Sequence, residues 1–128
     1  TVYGMTGGQM APTTMLGQST TTSPYGRDFR HEGYPIRMTE IMAVLEGTAF
    51  AARVAVNNPK NLMTAKKMLR KAFEVQINKL GFGFIEFLSS CPTNWKMSSE
   101  KANQRVQDEM IPYYPLGIFK EKTVSDSL

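Results

Sequence analysis

Between Phe50 and Ser89 the apolar pattern changes period twice, and that change leaves few folds open to the chain. Phe50 to Val56 is a short apolar run with β-branched valines, closed by Asn57-Asn58-Pro59, and it predicts a strand. From Lys60 to Leu80 the residues Leu62, Ala65, Leu69, Ala72, Phe73 and Leu80 follow a helical period, with Gly81 as the stop. Phe82 to Ser89 carries the nearly continuous run Phe84-Ile85-Glu86-Phe87-Leu88, which suits a parallel strand covered on both faces. Strand, helix and strand in that order imply a right-handed crossover in a layered α/β domain.

The flanks are read against that unit. Met38, Ile41, Met42 and Leu45 sit at helical spacing ahead of it, with Gly47 placed as a C′ glycine. Behind it, Ser98 or Ser99 caps a last helix that runs to Met110 and stops before Pro112. Tyr113 to Phe119 reads as an irregular aromatic segment packed on the domain, and residues 121–128 as a solvated tail. Residues 1–37 show no sustained period. They are rich in Gly, Thr, Ser and Pro, with the polar run Gln18-Ser19-Thr20-Thr21-Thr22-Ser23 at their centre. The expected division is a ligand-binding loop region over 1–37, an α/β part over 38–120 and a tail over 121–128.

With 128 residues, 41% apolar and 20% charged, the chain has the composition of one globular domain with a modest core. No apolar run approaches the ~20 residues a membrane-spanning helix requires, and the default expectation is the cytoplasm. A single cysteine excludes an internal disulfide framework and a self-contained thiolate metal site. The net charge of +4 comes without a dense basic cluster interleaved with aromatics, so nucleic acid is not indicated. Lys66, Lys67, Arg70, Lys71 and Lys79 decorate the long helix as a solvated face, the sharper alternative being a docking face for an acidic electron carrier. His31, between Arg30 and Glu32, has no second ligand at metal spacing and reads as a solvated loop histidine.

The stretch Thr1 to Thr14 concentrates the chemistry. It joins a Gly7-Gly8 pair to hydroxyls and a proline, almost without charge. Glycine lets backbone approach an anion closely, consecutive N–H groups can converge on it, and hydroxyls add donors. No Gly-Lys-Ser/Thr follows, so this is not a nucleoside-triphosphate loop. Cys91, directly after the second strand, is either a buried structural thiol or a ligand at the carboxyl end of a sheet, where α/β domains place their sites.

Val2-Tyr3-Gly4-Met5-Thr6-Gly7-Gly8-Gln9, followed by Pro12-Thr13-Thr14, resembles the cofactor loop of the β subunit of 2-oxoacid:ferredoxin (acceptor) oxidoreductases, most like the 2-oxoglutarate type. Pro24-Tyr25-Gly26-Arg27-Asp28, Gly33-Tyr34-Pro35, Cys91-Pro92-Thr93-Asn94-Trp95 and Met110 to Gly117 extend the resemblance over nearly the whole chain. Members carry a Gly-Asp-Gly signature upstream of this loop, so the resemblance implies the C-terminal part of a longer subunit, with the fold of a thiamine diphosphate-binding domain.

What the resemblance implies chemically is the CoA-dependent oxidative decarboxylation of a 2-oxoacid on thiamine diphosphate, with electrons passed singly to a 4Fe-4S cluster and on to ferredoxin or flavodoxin. It assigns Val2 as a backbone-carbonyl ligand of Mg²⁺, and Tyr3, Gly4, Met5, Thr6, Gly7, Gly8 and Gln9 as cofactor-binding positions. Cys91 supplies one thiolate to the cluster in the intact subunit, although Ser90 stands where many relatives have proline. Met5 and Gly7 also depart from the asparagine and lysine of some relatives. No catalytic residue is assigned to this chain, because the proton-relay glutamate belongs to the α subunit; that subunit and further small ones are the implied partners, and the chain alone is expected to be inactive. Arg27 and Arg30 are candidates, by charge alone, for the distal carboxylate of 2-oxoglutarate, with the partner subunit equally eligible. The alternative reading is a non-catalytic α/β module that binds a phospholigand or a partner.

Overall fold

In the computed structural model, which describes residues 2–123, the chain opens on an antiparallel hairpin of β1 (Val2–Tyr3) and β2 (Gln9–Met10). A loop holding the short helix α1 (Phe29–Glu32) leads to α2 (Met38–Val44). The crossover unit follows as β3 (Thr48–Ala55), α3 (Pro59–Ile77) and β4 (Phe82–Leu88). After it come α4 (Pro92–Trp95), α5 (Ser99–Arg105), a π-helical turn (Val106–Met110), α6 (Ile111–Tyr113) and β5 (Gly117–Glu121).

The architecture is α/β, with a parallel β3–β4 pair joined by a crossover helix, as the change of period predicts. The sheet order is β4-β3-β5, and β5 pairs antiparallel with β3. β3 is buried along its whole length, because elements cover both of its faces and both of its edges are paired. Its alanines let those layers approach closely. Asn58 caps α3 by accepting from the Asn61 N–H, and Pro59 stands at the first turn, where its missing donor is not needed.

One core joins Ala55 and Leu88 of the sheet to Val106, Met110 and Tyr114; the other packs Val75 and Met68 of α3 on Ala49, Phe50 and Ala52. Between the layers lies Arg53, fully buried on β3. Its Nε donates to Glu86 at 2.8 Å, its terminal nitrogens to Glu40 and to the Pro115 carbonyl, and the rings of Tyr114 and Phe119 stack on its plane at 5.2 Å. Thr39 donates to the same Glu86 oxygen at 2.5 Å. A buried guanidinium is tolerated only with this density of partners. Tyr114 ties the far end of the chain to the first loop by donating to the Thr13 carbonyl at 2.9 Å.

Several expectations are corrected. Tyr113 to Phe119 is irregular only over 114–116, between the end of α6 and the start of β5, and Glu121 is the last residue of that strand rather than the first of a tail. β5 occupies Gly117–Glu121, and Lys122 still donates to the Ala49 carbonyl at 2.7 Å. The part of the expected tail beyond Thr123 lies outside the described residues. Helix geometry runs past Pro112, because proline falls in the first turn of α6, after a π turn has already redirected the chain. Gly47 is no C′ cap: α2 ends on an extended Leu45, and the Gly47 carbonyl instead accepts from Phe82 N–H at 2.8 Å. β4 has α3 on one face and α2 on the other, as expected, but it lies at the sheet edge and Phe82 and Phe87 stay exposed. Of the apolar stripe expected for α3, Ala65 is buried while Leu62, Leu69 and Phe73 face outward.

Candidate functional site

Gly7 and Gly8 turn the β1–β2 hairpin with φ of +115° and +81°, which side-chain-bearing residues rarely adopt. The Gly8 N–H donates to the Tyr3 carbonyl at 2.9 Å and closes the turn. Thr6 and Gln9 then satisfy one another: the Thr6 hydroxyl donates to Gln9 Oε1 and Gln9 Nε2 to the Thr6 carbonyl, each at 2.7 Å. The polar run predicted as loop folds over this hairpin. Thr21 N–H donates to the Gly8 carbonyl at 3.0 Å, and Met10 N–H donates to the Thr22 hydroxyl at 3.0 Å.

The opposite wall starts at the carboxyl end of β4. Cys91 accepts from the Trp95 N–H through its carbonyl at 3.0 Å, making the single turn α4 that ends on Lys96 in the left-handed region (φ 53°). The two walls touch. A Cβ placed on Gly4 would lie 3.3 Å from Cys91 Sγ, and one placed on Gly8 would lie 2.6 Å from the Asn94 amide nitrogen. Glycine is favoured where the hairpin meets Asn94 by its left-handed φ, and a Cβ there would also push the Asn94 amide aside.

Between the walls is an open cavity of ≈ 1030 Å³. Gly4, Met5, Gly7 and Gly8 face it from the hairpin, Gln18 to Thr21 from the folded loop, and Cys91, Asn94 and Trp95 from the turn. Lys96 and Arg105 are its charged residues, and no carboxylate lines it among the described residues. Arg105 sits 4.9 Å over the Trp95 ring and pairs with Glu109 at 3.0 Å, so Lys96 is the cation not engaged in an ion pair there. The Trp95 indole N–H is buried and has no partner among the described residues. Hydroxyls and positive charge without an opposing carboxylate make a cavity suited to an anion.

No protein-family model matches the chain, and no solved structure does. Curated relatives do. The chain is 43% identical over 123 residues to "Ketoisovalerate oxidoreductase subunit VorA" of Methanothermobacter marburgensis, covering 96% of this chain and 26% of that one. It is 30% identical over 135 residues to "2-oxoglutarate synthase subunit KorB" of Archaeoglobus fulgidus, covering 98% and 46%. It is 33% identical over 118 residues to "Pyruvate synthase subunit PorB" of Pyrococcus horikoshii, covering 89% and 34%. These relatives are subunits of 2-oxoacid:ferredoxin oxidoreductases, and the chain matches a part of each. It spans between about a quarter and a half of the length of these three relatives.

Of the residues that the resemblance singles out, the structure brings Gly4, Met5, Gly7, Gly8 and Cys91 to one cavity. Val2 and Tyr3 pair with Met10 and Gln9 in the hairpin ladder, and Thr6 and Gln9 bond to each other, so these four build the loop rather than line the cavity. Arg27 is corrected. It is buried, and its Nε and both terminal nitrogens donate to the carbonyls of Ala11, Pro12, Thr14, Glu32, Gly33 and Tyr34 at 2.8–3.3 Å. A guanidinium so occupied is not available to a substrate carboxylate. Arg30 lies on α1 against the Phe29 ring, away from the cavity. Sequence reasoning missed Lys96 and Arg105, which look like any surface cations in the string. The Ser19 to Thr21 wall was visible as composition, but nothing in the sequence said that it folds over the glycines.

No helix of the described residues is long and apolar enough to cross a membrane. Among those residues there is also no group of three or more His, Cys, Asp or Glu that could hold a metal ion.

Proposed function

We propose that this chain supplies cofactor-facing loops of the thiamine diphosphate-binding subunit of a CoA-dependent 2-oxoacid oxidoreductase that delivers electrons to ferredoxin or flavodoxin. The observation that carries the reading is the seating of a left-handed glycine pair against the Cys91–Asn94 turn, around a cavity whose charged lining is cationic. When bound, thiamine diphosphate with Mg²⁺ supplies the carbon nucleophile for decarboxylation and a 4Fe-4S cluster the electron sink. The residues present fit such groups. Gly7 offers backbone to the diphosphate, Gly8, whose own N–H and carbonyl are engaged within the loop, leaves room for it by lacking a Cβ, Thr20 and Thr21 add hydroxyls, and Lys96 offsets its charge. Val2, Tyr3, Thr6 and Gln9 hold the hairpin in shape, with the Val2 carbonyl as the oxygen ligand toward Mg²⁺. Cys91 offers one thiolate, and the remaining thiolates and the carboxylate ligands of Mg²⁺ come from outside these residues.

Within the 2-oxoacids we favour a substrate with an uncharged, branched side chain over 2-oxoglutarate. The relative at 43% identity is named for ketoisovalerate, and Arg27, one candidate for a distal carboxylate, is fully engaged by backbone. The α subunit and further small subunits are the proposed partners, and the cytoplasm the proposed location.

The test uses the single tryptophan. Trp95 lines the cavity, so thiamine diphosphate with Mg²⁺ is expected to quench its fluorescence saturably, and diphosphate alone to compete. The chain is then co-expressed with the other subunits, and CoA-dependent viologen reduction is measured with ketoisovalerate, 2-oxoglutarate and pyruvate. Quenching with no turnover of any 2-oxoacid favours the non-catalytic phospholigand module. No response of Trp95 in the chain alone, together with no thiamine diphosphate retained by the co-expressed complex, sinks the cofactor reading.

A further inference from the structure

The hydroxyl wall of the cavity, Gln18 to Thr21, contains neither helix nor strand, yet it is held at both ends. At one end the Thr21 N–H and the Thr22 hydroxyl bond to Gly8 and Met10 of the hairpin. Thr20 and Ser23 exchange backbone hydrogen bonds at 3.0 and 3.3 Å and make the bend that follows. The other end is paired with the main chain of Arg27. Gly17 N–H donates to the Arg27 carbonyl at 2.9 Å, and Arg27 N–H donates to the Gln18 carbonyl at 3.2 Å.

The side chain of Arg27 then crosses to the far side of the loop. One terminal nitrogen donates to the carbonyls of Ala11, Pro12 and Thr14 at 3.3, 2.8 and 2.8 Å, in the turn directly after β2. Nε and the other terminal nitrogen donate to Gly33, Glu32 and Tyr34 at 2.9, 3.2 and 3.1 Å. The remaining carbonyl of the 11–14 turn, that of Thr13, takes the Tyr114 hydroxyl at 2.9 Å. Tyr114 shares a core with Leu88, the last residue of β4, and Trp95 packs against that core. The 11–14 turn is therefore the common reference for the hairpin, the hydroxyl wall and the turn that carries Cys91.

We infer that Arg27 is a positioning residue of the site: without touching the ligand, it sets the separation between the Gly7–Gly8 turn and the hydroxyls of Thr20 and Thr21. A set of donors recognises a ligand only while its members keep their places to within roughly 0.5 Å. The five N–H groups of a guanidinium lie in one rigid plane, and here they meet six carbonyls, which fixes the side chain in a single orientation. All six partners lie within residues 11–34, so the clamp is complete without any other part of a longer subunit. Without the guanidinium, residue 27 keeps its backbone pairing with Gly17 and Gln18 but loses its link to the 11–14 turn, and the wall is free to pivot about its bonds to the hairpin. Lysine keeps the charge, but its three donors on a flexible stem fix no plane. That difference separates geometry from charge. The identity of the ligand rests on the cofactor reading.

The test uses the chain co-expressed with the other subunits and stripped of cofactor. Thiamine diphosphate with Mg²⁺ is titrated into the complex by calorimetry, and hydrogen exchange is followed in the ligand-free complex. Arg27→Met is expected to weaken binding about tenfold and Arg27→Lys roughly threefold. The amides of Gly17, Thr20 and Thr21, each hydrogen-bonded in the loop, are expected to exchange faster in the same order, while those of β3 stay protected. Val75→Ala, in the core beneath α3, is expected to lower Tm and to move neither readout. Where Arg27→Met does not assemble, Arg27→Lys against wild type carries the comparison.

Four results overturn the positioning role and leave the cofactor reading in place: Arg27→Met binding as tightly as wild type, Arg27→Lys equal to wild type, affinity falling with Tm in Val75→Ala as well, or exchange over residues 17–21 unchanged. A wild-type complex that binds no thiamine diphosphate sinks the cofactor reading and takes the positioning role with it.

Discussion

At the scale of single residues, left-handed glycines make claims of different strength. Gly33 (φ +70°) has open space where a Cβ would go, so Gly33→Ala is expected to cost about 1 kcal/mol, the conformational term alone. Gly26 (φ +92°) would place a Cβ 2.6 Å from the Gly17 carbonyl oxygen, which is backbone and cannot rotate away. Gly26→Ala is therefore expected to lower the urea midpoint clearly more than Gly33→Ala, and equal midpoints refute the assignment. Gly8→Ala strains a left-handed φ and displaces the Asn94 amide at the cavity wall, and is expected to weaken diphosphate quenching of Trp95 about tenfold. The glycine pair and Cys91 were legible in the sequence because they are rare residue types in a recognisable string. Lys96 and the true role of Arg27 were not. Whether a cation faces solvent, a ligand or six carbonyls depends on where the chain returns in space.

At the scale of elements, the crossover unit was legible because its periods and its Asn-Asn-Pro and Gly boundaries agree. β5 was missed for a physical reason: Gly117-Ile118-Phe119-Lys120-Glu121 has no alternation strong enough to mark a strand, and it becomes one by pairing with β3. The outward side of α3 was misassigned because an exposed apolar stripe and a core stripe share one period. The sheet's weak point is Arg53. Arg53→Met leaves Glu86 and Glu40 without their cation, and a loss of about 3–5 kcal/mol is expected from denaturant unfolding. Adding Glu86→Gln and Glu40→Gln should restore part of it. Burial pushes the Glu40 carboxyl up, but the Arg53 hydrogen bond and charge more than offset this and hold it below 4.5. That contribution is in place above pH 4.5 and is lost as pH falls through the lower folded value. Glu40→Gln should therefore flatten the acid limb of stability, and an unchanged limb counts against the pair.

At the scale of the whole molecule, the N-terminal loops and the C-terminal helices are joined by Tyr114, buried and hydrogen-bonded to Thr13. Burial, with Tyr113 beside it, pushes its hydroxyl up to about 12 from 10. The raised value means that the stabilisation is complete below pH 10 and disappears as pH rises through about 12. Tyr114→Phe is expected to cost about 1 kcal/mol near neutrality and to reduce the stability change between those pH values, read by urea titration. Arg27 does a comparable job inside the loop, gathering carbonyls from residues 11–14 and 32–34 around one guanidinium. The segment between them is thus a closed ring with a cation at its hub, and one face of that ring is the Gln18 to Thr21 wall. A ligand arriving there meets donors whose entropy was already surrendered during folding, so its affinity should depend on contact quality and little on any closing motion.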